Sequence, residues 1–172
     1  MPFPHAFRSI LLPTLLLITG IGCSAGTMKK FDVVVTLVDD AAKSRVHVDL
    51  VGANPGEVAR LRSVKMSTYI LDQGKGHVPP DRTRSFNLAA GTTTQTLSRN
   101  DPIWKKWEDA KVLYLFVLAD YPRATEDHDG DGDPRRLIIP LDAARWKGST
   151  KQLEIRIQPT GLICVPPPNP ES

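Results

Sequence analysis

The stretch Arg45-Val-His-Val-Asp-Leu-Val51 alternates with a period of two: Val46, Val48 and Leu50 share one face, and Arg45, His47 and Asp49 share the other. Successive side chains of a strand point to opposite sides, so this pattern predicts a strand with a buried face and an outward face. On its amino-terminal side, Phe31-Asp-Val-Val-Val-Thr-Leu-Val38 is rich in β-branched residues and stops at Asp39-Asp40, which predicts another strand. On its carboxyl side, Asn54-Pro-Gly56 is a turn, and Val64-Lys-Met-Ser-Thr-Tyr-Ile-Leu71 alternates again and predicts a third strand. Residues 72–84 are a loop by composition. Ser85-Phe-Asn-Leu88 is a short strand, turning at Ala90-Gly91 into the Thr-rich segment 92–97.

Asp101-Pro-Ile-Trp-Lys-Lys-Trp-Glu-Asp109 predicts a short helix, with Asn100 or Asp101 as its cap and Pro102 at the first helical position. Trp104 and Trp107 then lie on one side of it, packed onto the sheet. Val112-Leu-Tyr-Leu-Phe-Val-Leu-Ala119 is the most continuous apolar run and predicts a central strand. Leu137–Leu141, Gln152–Gln158 and Leu162–Val165 complete a set of seven to nine short strands. The expected fold is mostly β, a two-sheet β-sandwich over residues 31–165 with one short helix. The Pro-rich tail 166–172 is expected to be poorly ordered.

Composition agrees with one globular domain. Of 172 residues, 41% are hydrophobic and 24% charged, and the 15 prolines and 12 glycines favour many short elements joined by turns. The formal charge of +3 comes from Lys and Arg scattered among Asp and Glu, with no basic block to suggest nucleic acid.

The amino terminus has its own organisation. Arg8 precedes the apolar run Ile10–Ile18, which continues through Thr19-Gly-Ile-Gly22; it is short and interrupted by Pro13, as in a secretory signal peptide. Thr19-Gly20-Ile21-Gly22-Cys23 resembles a lipobox: small or apolar residues ahead of a thiol that receives diacylglycerol, with Gly20 where Leu is commonest. The expectation is a signal peptide over residues 1–22, lipidation at Cys23 and a tether over 23–30. Ordinary cleavage near Ser24-Ala-Gly26 is the competing reading. Each buried acyl methylene contributes about 0.8 kcal/mol, so the two or three chains of a lipoprotein cysteine hold it to the membrane. Ser24 follows the cysteine where Asp would favour the inner membrane. The outer membrane, with the domain facing the periplasm, is therefore the expected location.

Catalytic signals are weak, and no enzyme is expected. No Gly-x-Ser-x-Gly elbow or Cys–His arrangement occurs, and His47, His77 and His128 are dispersed. Asp49 and Glu154 read as solvated positions on strands. Cys164, without a partner once Cys23 is acylated, reads as a small core side chain on the last strand rather than a reactive thiol. Trp104, Trp107 and Trp146 read as buried anchors, with an aromatic binding surface as the alternative.

The strongest local feature is Asp127-His-Asp-Gly-Asp-Gly-Asp133. Alternating carboxylates on a Gly-rich loop suit a hard cation, so Asp127, Asp129, Asp131 and Asp133 are candidate Ca²⁺ ligands. The EF-hand spacing begins correctly but fails at its twelfth position, Ile138, where a bidentate Glu belongs. The alternative is a solvated acidic hairpin partly neutralised by Arg135 and Arg136.

Three segments carry a resemblance to a known family: Val64–Leu71, Tyr114-Leu-Phe-Val-Leu-Ala-Asp-Tyr121 and Ala144-Arg-Trp-Lys147. With the lipobox, they make the chain similar to the outer-membrane lipoprotein of type VI secretion systems, the TssJ family, over roughly residues 31–160. The acidic insert 123–136 and the region 76–100 depart from that pattern. The resemblance implies a transthyretin-like sandwich that tethers an inner-membrane partner of the TssM family, with loops 72–84 and 121–136 as the first places to look for contact. A stand-alone lipoprotein that binds a ligand, in one version with calcium, is the competing function.

Overall fold

The computed structural model describes residues 26–38, 45–120, 126–128 and 130–170. Among these residues, eight strands form two four-stranded sheets. The first sheet runs β4 (Thr94–Leu97), β1 (Asp32–Leu37), β7 (Gln152–Gln158), β8 (Gly161–Val165). The second runs β3 (Thr83–Leu88), β2 (Val46–Ala53), β5 (Tyr114–Asp120), β6 (Arg136–Pro140). Neighbours are antiparallel except β1 and β7, which pair in parallel from Asp32↔Gln152 to Leu37↔Ile157. The expected mostly-β, two-sheet sandwich is what the chain adopts.

The alternating strands meet in the middle. Val33, Val35 and Leu37 of β1 and Leu153, Ile155 and Ile157 of β7 face Val46, Val48 and Leu50 of β2 and Leu115, Val117 and Ala119 of β5 in one continuous core. Between β3 and β4 the chain changes sheets at a tight turn, where Ala89 and Thr92 exchange backbone hydrogen bonds of 3.1 and 2.9 Å. Gly91 sits there at φ +87°, a conformation that favours glycine.

The short helix α3 (Ile103–Asp109) forms where expected, and Asp101 Oδ1 accepts the Ile103 N–H at 2.9 Å. Trp104 and Trp107 are fully buried, edge to face with centroids 4.7 Å apart. Each indole N–H reaches a backbone carbonyl at 2.9 Å, Trp104 that of Ser98 and Trp107 that of Arg82. Trp146 is buried against the edge of Phe31 and donates to the Pro140 carbonyl at 2.8 Å. All three tryptophans are core anchors.

One strand expected from the sequence does not form. Val64–Leu71 instead contains the short helix α2 (Met66–Leu71), which follows another, α1 (Val58–Ser63), so the described residues hold three short α-helices instead of the one expected. The reason lies on the second sheet. Its outer face is also apolar at Val51, Ala53, Phe116 and Leu118, and Leu61, Met66 and Tyr69 cover it in a second hydrophobic cluster. Met66 and Tyr69 are three apart, a helical spacing that eight residues cannot separate from alternation.

Both ends of the described chain are docked. Thr27–Lys29 run along Leu141–Ala143: Ala143 N–H donates to the Thr27 carbonyl at 2.8 Å and Lys29 N–H to the Leu141 carbonyl at 2.7 Å. In the tail, Asn169 and Arg145 exchange hydrogen bonds of 2.8 and 2.9 Å.

The junction between β2 and α3 leaves no room for a side chain at Gly52, where an added Cβ would lie 2.6 Å from the Trp107 ring. Gly52→Ala is therefore expected to destabilise the fold by about 1–3 kcal/mol, read as a lower urea midpoint at unchanged slope. An unchanged midpoint would show that Trp107 is free to move.

Candidate functional site

A hollow of about 790 Å³ lies over the outer face of β2, β3 and β5, beneath α2 and the turns that follow it. At its floor is Asp49. The period-two reading put this residue on a solvated face, yet it is only 4% exposed, because α2 closes over that face. Three donors satisfy the carboxylate: Tyr69 Oη to Oδ2 at 2.5 Å, Ser85 Oγ to Oδ1 at 2.5 Å and His47 Nε2 to Oδ1 at 3.1 Å. Strand register makes this arrangement, since Ser85 pairs directly with Asp49 and His47 lies two residues along the same face. His47 Nδ1 is 2.9 Å from Asn87 Oδ1, so both ring nitrogens are engaged.

Such a cluster holds a structure in place better than it transfers protons. Burial, reinforced by the bond to Asp49, pushes the Tyr69 phenol well above its ordinary range, so it keeps its proton. The Ser85 hydroxyl is directed at a carboxylate, and no imidazole nitrogen stands ready to activate it. Sequence reading missed the burial of Asp49. The available signal was the run Leu50-Val51-Gly52-Ala53, where alternation lapses into residues buried on both faces.

The turns after α2 are compact. His77 Nε2 bonds Asp72 Oδ2 at 2.9 Å, and Arg60 donates to the His77 carbonyl at 2.7 Å. Arg82 grips Glu57 through two hydrogen bonds of 2.6 and 2.8 Å. The loop expected at 72–84 is thus pinned to α1 and carries Leu71, 82% exposed, at its edge.

The acidic segment folds against the same helices. Asp133 is buried and takes both Nε (2.9 Å) and Nη2 (2.8 Å) of Arg135, together with the backbone N–H of Arg135 and of His128. Asp127 accepts the N–H and hydroxyl of Ser67 at 2.8 and 2.5 Å, and Arg135 Nη2 at 2.7 Å. Asp131 pairs with Arg62 at 3.0 Å, and Asp129 lies outside the described residues. Among the described residues no three acidic, His or Cys side chains gather as a metal cluster.

Arg135 pairs with the loop's carboxylates, as the hairpin reading had it, whereas Arg136 meets the loop at the Gly130 carbonyl and pairs with none of its described carboxylates. Buried itself, Arg136 donates to the carbonyls of Arg62 at 2.6 Å and Gly130 at 2.8 Å, and also to that of Val64. It caps the end of α1, where carbonyls lack helical partners.

The remaining candidates separate. Cys23 lies outside the described residues. Glu154 is partly exposed and paired with Arg156 at 2.8 Å. Cys164 packs at the margin of the core, and burial pushes its thiol up to about 12, so it stays protonated and unreactive at neutral pH.

These pairings make the stability acid-sensitive. The hydrogen bonds from Ser67 and Arg135 hold the Asp127 carboxyl down at about 2. Burial works to raise Asp133, but the bonds from Arg135 and His128 outweigh it and hold it below the ordinary range. Carboxyls depressed in the folded state stabilise it above their unfolded value of about 4 and lose that contribution as pH falls through the folded value. Asp127→Asn combined with Asp133→Asn should lower the melting temperature at pH 7, with the gap from wild type closing by about pH 2. A gap constant with pH would mean that the carboxylates contribute by shape alone. Calcium has to displace Arg135 to gather Asp127 and Asp133, so millimolar calcium is expected to leave the melting temperature unchanged. A rise of several degrees would show that the loop rearranges around the ion.

No protein-family model matches the chain, and no curated protein matches it in sequence. Among solved structures it is similar to Lip of Serratia marcescens, described as a membrane-bound component of the type VI secretion system. Identity is 13% over 79% of this chain and 96% of that one, with a TM-score of 0.50. It also aligns with TssJ1, a type VI secretion lipoprotein of Pseudomonas aeruginosa, at 13% identity over 84% of this chain and 100% of that one, TM-score 0.45. Of the three segments that carried the resemblance, Tyr114–Asp120 is the central strand β5 and Ala144–Lys147 spans a 3-10 turn and buried Trp146, whereas Val64–Leu71 is helical. The chain has the sandwich fold of Lip, far diverged in sequence.

Proposed function

We propose that this chain is a lipid-anchored envelope protein that ties a secretion-type membrane complex to the outer membrane through protein contacts. The observation that carries this reading is the fold it shares with Lip, a membrane-bound part of a type VI secretion system, in a chain that also has the lipobox-like Thr19–Cys23. The role is mechanical and involves no reaction: acyl chains on Cys23 fix one end, and a rigid sandwich presents a surface to the partner. In this reading the partner is an inner-membrane protein with a periplasmic domain, as TssM is to TssJ.

The surface best suited to that contact is the ridge 71–78. Leu71 stands exposed at its edge, and Ile70, Val78 and Leu118 give the adjoining hollow apolar walls above Asp49. The acidic segment is a poorer target for deletion. Asp133, Arg135 and Arg136 are buried and brace α1 and α2, so removing residues 123–134 would undo that support as well as any contact. A second reading, a periplasm-facing lipoprotein that binds a small ligand, draws support from the same hollow.

Recovery of the full-length lipoprotein from its own cells in mild detergent is expected to bring down an inner-membrane protein with a large periplasmic domain. Leu71→Asp should reduce that recovery at least tenfold while leaving the melting temperature within about 2 °C. Recovery of no such protein from cells expressing the secretion machinery would remove the tether and leave the ligand-binding reading.

A further inference from the structure

The end of the sandwich at which the described chain begins is basic. Thr27–Lys29 lie along Leu141–Ala143, and Leu141 N–H in turn donates to the Leu113 carbonyl at 2.7 Å, which brings Lys111 to the same end. Lys29 Nζ donates to the carbonyls of Lys147 at 2.8 Å and Gly148 at 3.2 Å, and the Lys151 carbonyl accepts the Asp32 N–H at 3.0 Å. Lys29, Lys111, Lys147 and Lys151 are thereby collected around one edge, and among the described residues none of them has a carboxylate partner. Of the acids nearby, Asp32 is bonded to Arg99 and Glu108 to Lys30, while Asp142 accepts the backbone N–H of Ala144.

At the opposite end the acidic segment's charges are paired, Asp127 and Asp133 with Arg135 and Asp131 with Arg62. β5 starts at Tyr114 near the lysines and ends at Asp120, roughly 20 Å away at a strand rise of about 3.3 Å per residue. Beyond it lies the segment containing Asp127, Asp131 and Asp133.

Two residues, Ser24 and Ala25, separate Cys23 from Gly26, and these three steps span at most about 11 Å of extended chain. A lipid-bearing Cys23 would hold this basic edge within about one Debye length of the headgroups, which is about 10 Å at 0.1 M salt. Each Lys close to an anionic surface strengthens association roughly fivefold. We propose that the Lys29, Lys111, Lys147 and Lys151 edge seats on anionic phospholipid headgroups, so that the domain stands with its acidic loop and the 71–78 ridge turned away from the membrane. The proposal deepens the tether reading and shares its assumption of an acylated Cys23, but the surface itself is testable without the lipid.

The chain from Ser24 to Ser172 keeps every described contact, including both hydrophobic clusters, and supplies a lipid-free protein. Its partition onto vesicles containing phosphatidylglycerol should exceed that onto pure phosphatidylcholine at least tenfold at 50 mM salt and converge with it at 500 mM. Lys111→Gln, Lys147→Gln and Lys151→Gln together should remove most of the difference, with an unchanged melting curve. In a Cys164→Ser background, a fluorophore at Ser149→Cys should be quenched by headgroup spin labels, and one at Gln73→Cys should not. Equal partition onto both lipids, indifference to the lysine substitutions, or quenching at position 73 instead of 149 would each overturn the proposal. Loss of the anchor reading would show separately, as native protein without acyl mass on Cys23.

Discussion

The outer face of the second sheet is apolar where Val51, Ala53, Phe116 and Leu118 stand, and it must be kept from water. Burying a side chain the size of Val, Leu or Phe contributes about 1.5–3 kcal/mol, so leaving Val51, Phe116 and Leu118 wet would remove a large fraction of the stability of a domain this size. Most of the unusual features follow from covering them. The chain between β2 and β3 folds back as α1 and α2, and Leu61, Met66 and Tyr69 close the second cluster. Two helices of six residues are too short to persist alone. They depend on the sheet below and on Arg136, which takes up carbonyls at the end of α1.

The same cover creates the polar cluster. Once α2 lies over β2, the carboxylate of Asp49 loses water, and such a group is tolerated only with donors on its oxygens. Tyr69, Ser85 and His47 supply them, and the Tyr69–Asp49 bond fastens the helix that caused the burial. Arg135 plays the corresponding part for Asp133 and Asp127. The hollow above Asp49 and the ridge beside it are consequences of a short two-turn flap laid over a sheet wider than itself. In the proposed tether, that is the surface the partner would meet.

Lysines without carboxylate partners gather at the end where the described chain begins, whereas Asp127, Asp131 and Asp133 of the acidic segment are paired with arginines. Such an arrangement says little about folding and much about how a molecule presents itself to its surroundings. A sandwich is suited to this role, because its strands hold the two ends a fixed distance apart.

The sequence by itself determined the strands, since the alternation in Val46–Leu50 and in Leu153–Ile157 and the unbroken run through β5 each encode which faces are wet. It also determined the tryptophan anchors of α3, through their spacing. It carries Thr19–Cys23 as well, which resembles the signature of an anchoring cysteine. What only the tertiary structure decided was whatever depends on a second layer. Val64–Leu71 alternates well enough for a strand, and it is helical because an apolar face awaits Met66 and Tyr69. Asp49 sits in an outward register, and it is buried because that helix arrives. The acidic loop has the composition of a cation site, and its described carboxylates are divided among Arg62, Arg135, Ser67 and backbone N–H groups that the sequence places up to seventy residues away. Periodicity reports the solvent exposure of an isolated element. It carries no information about which other element will come to cover it.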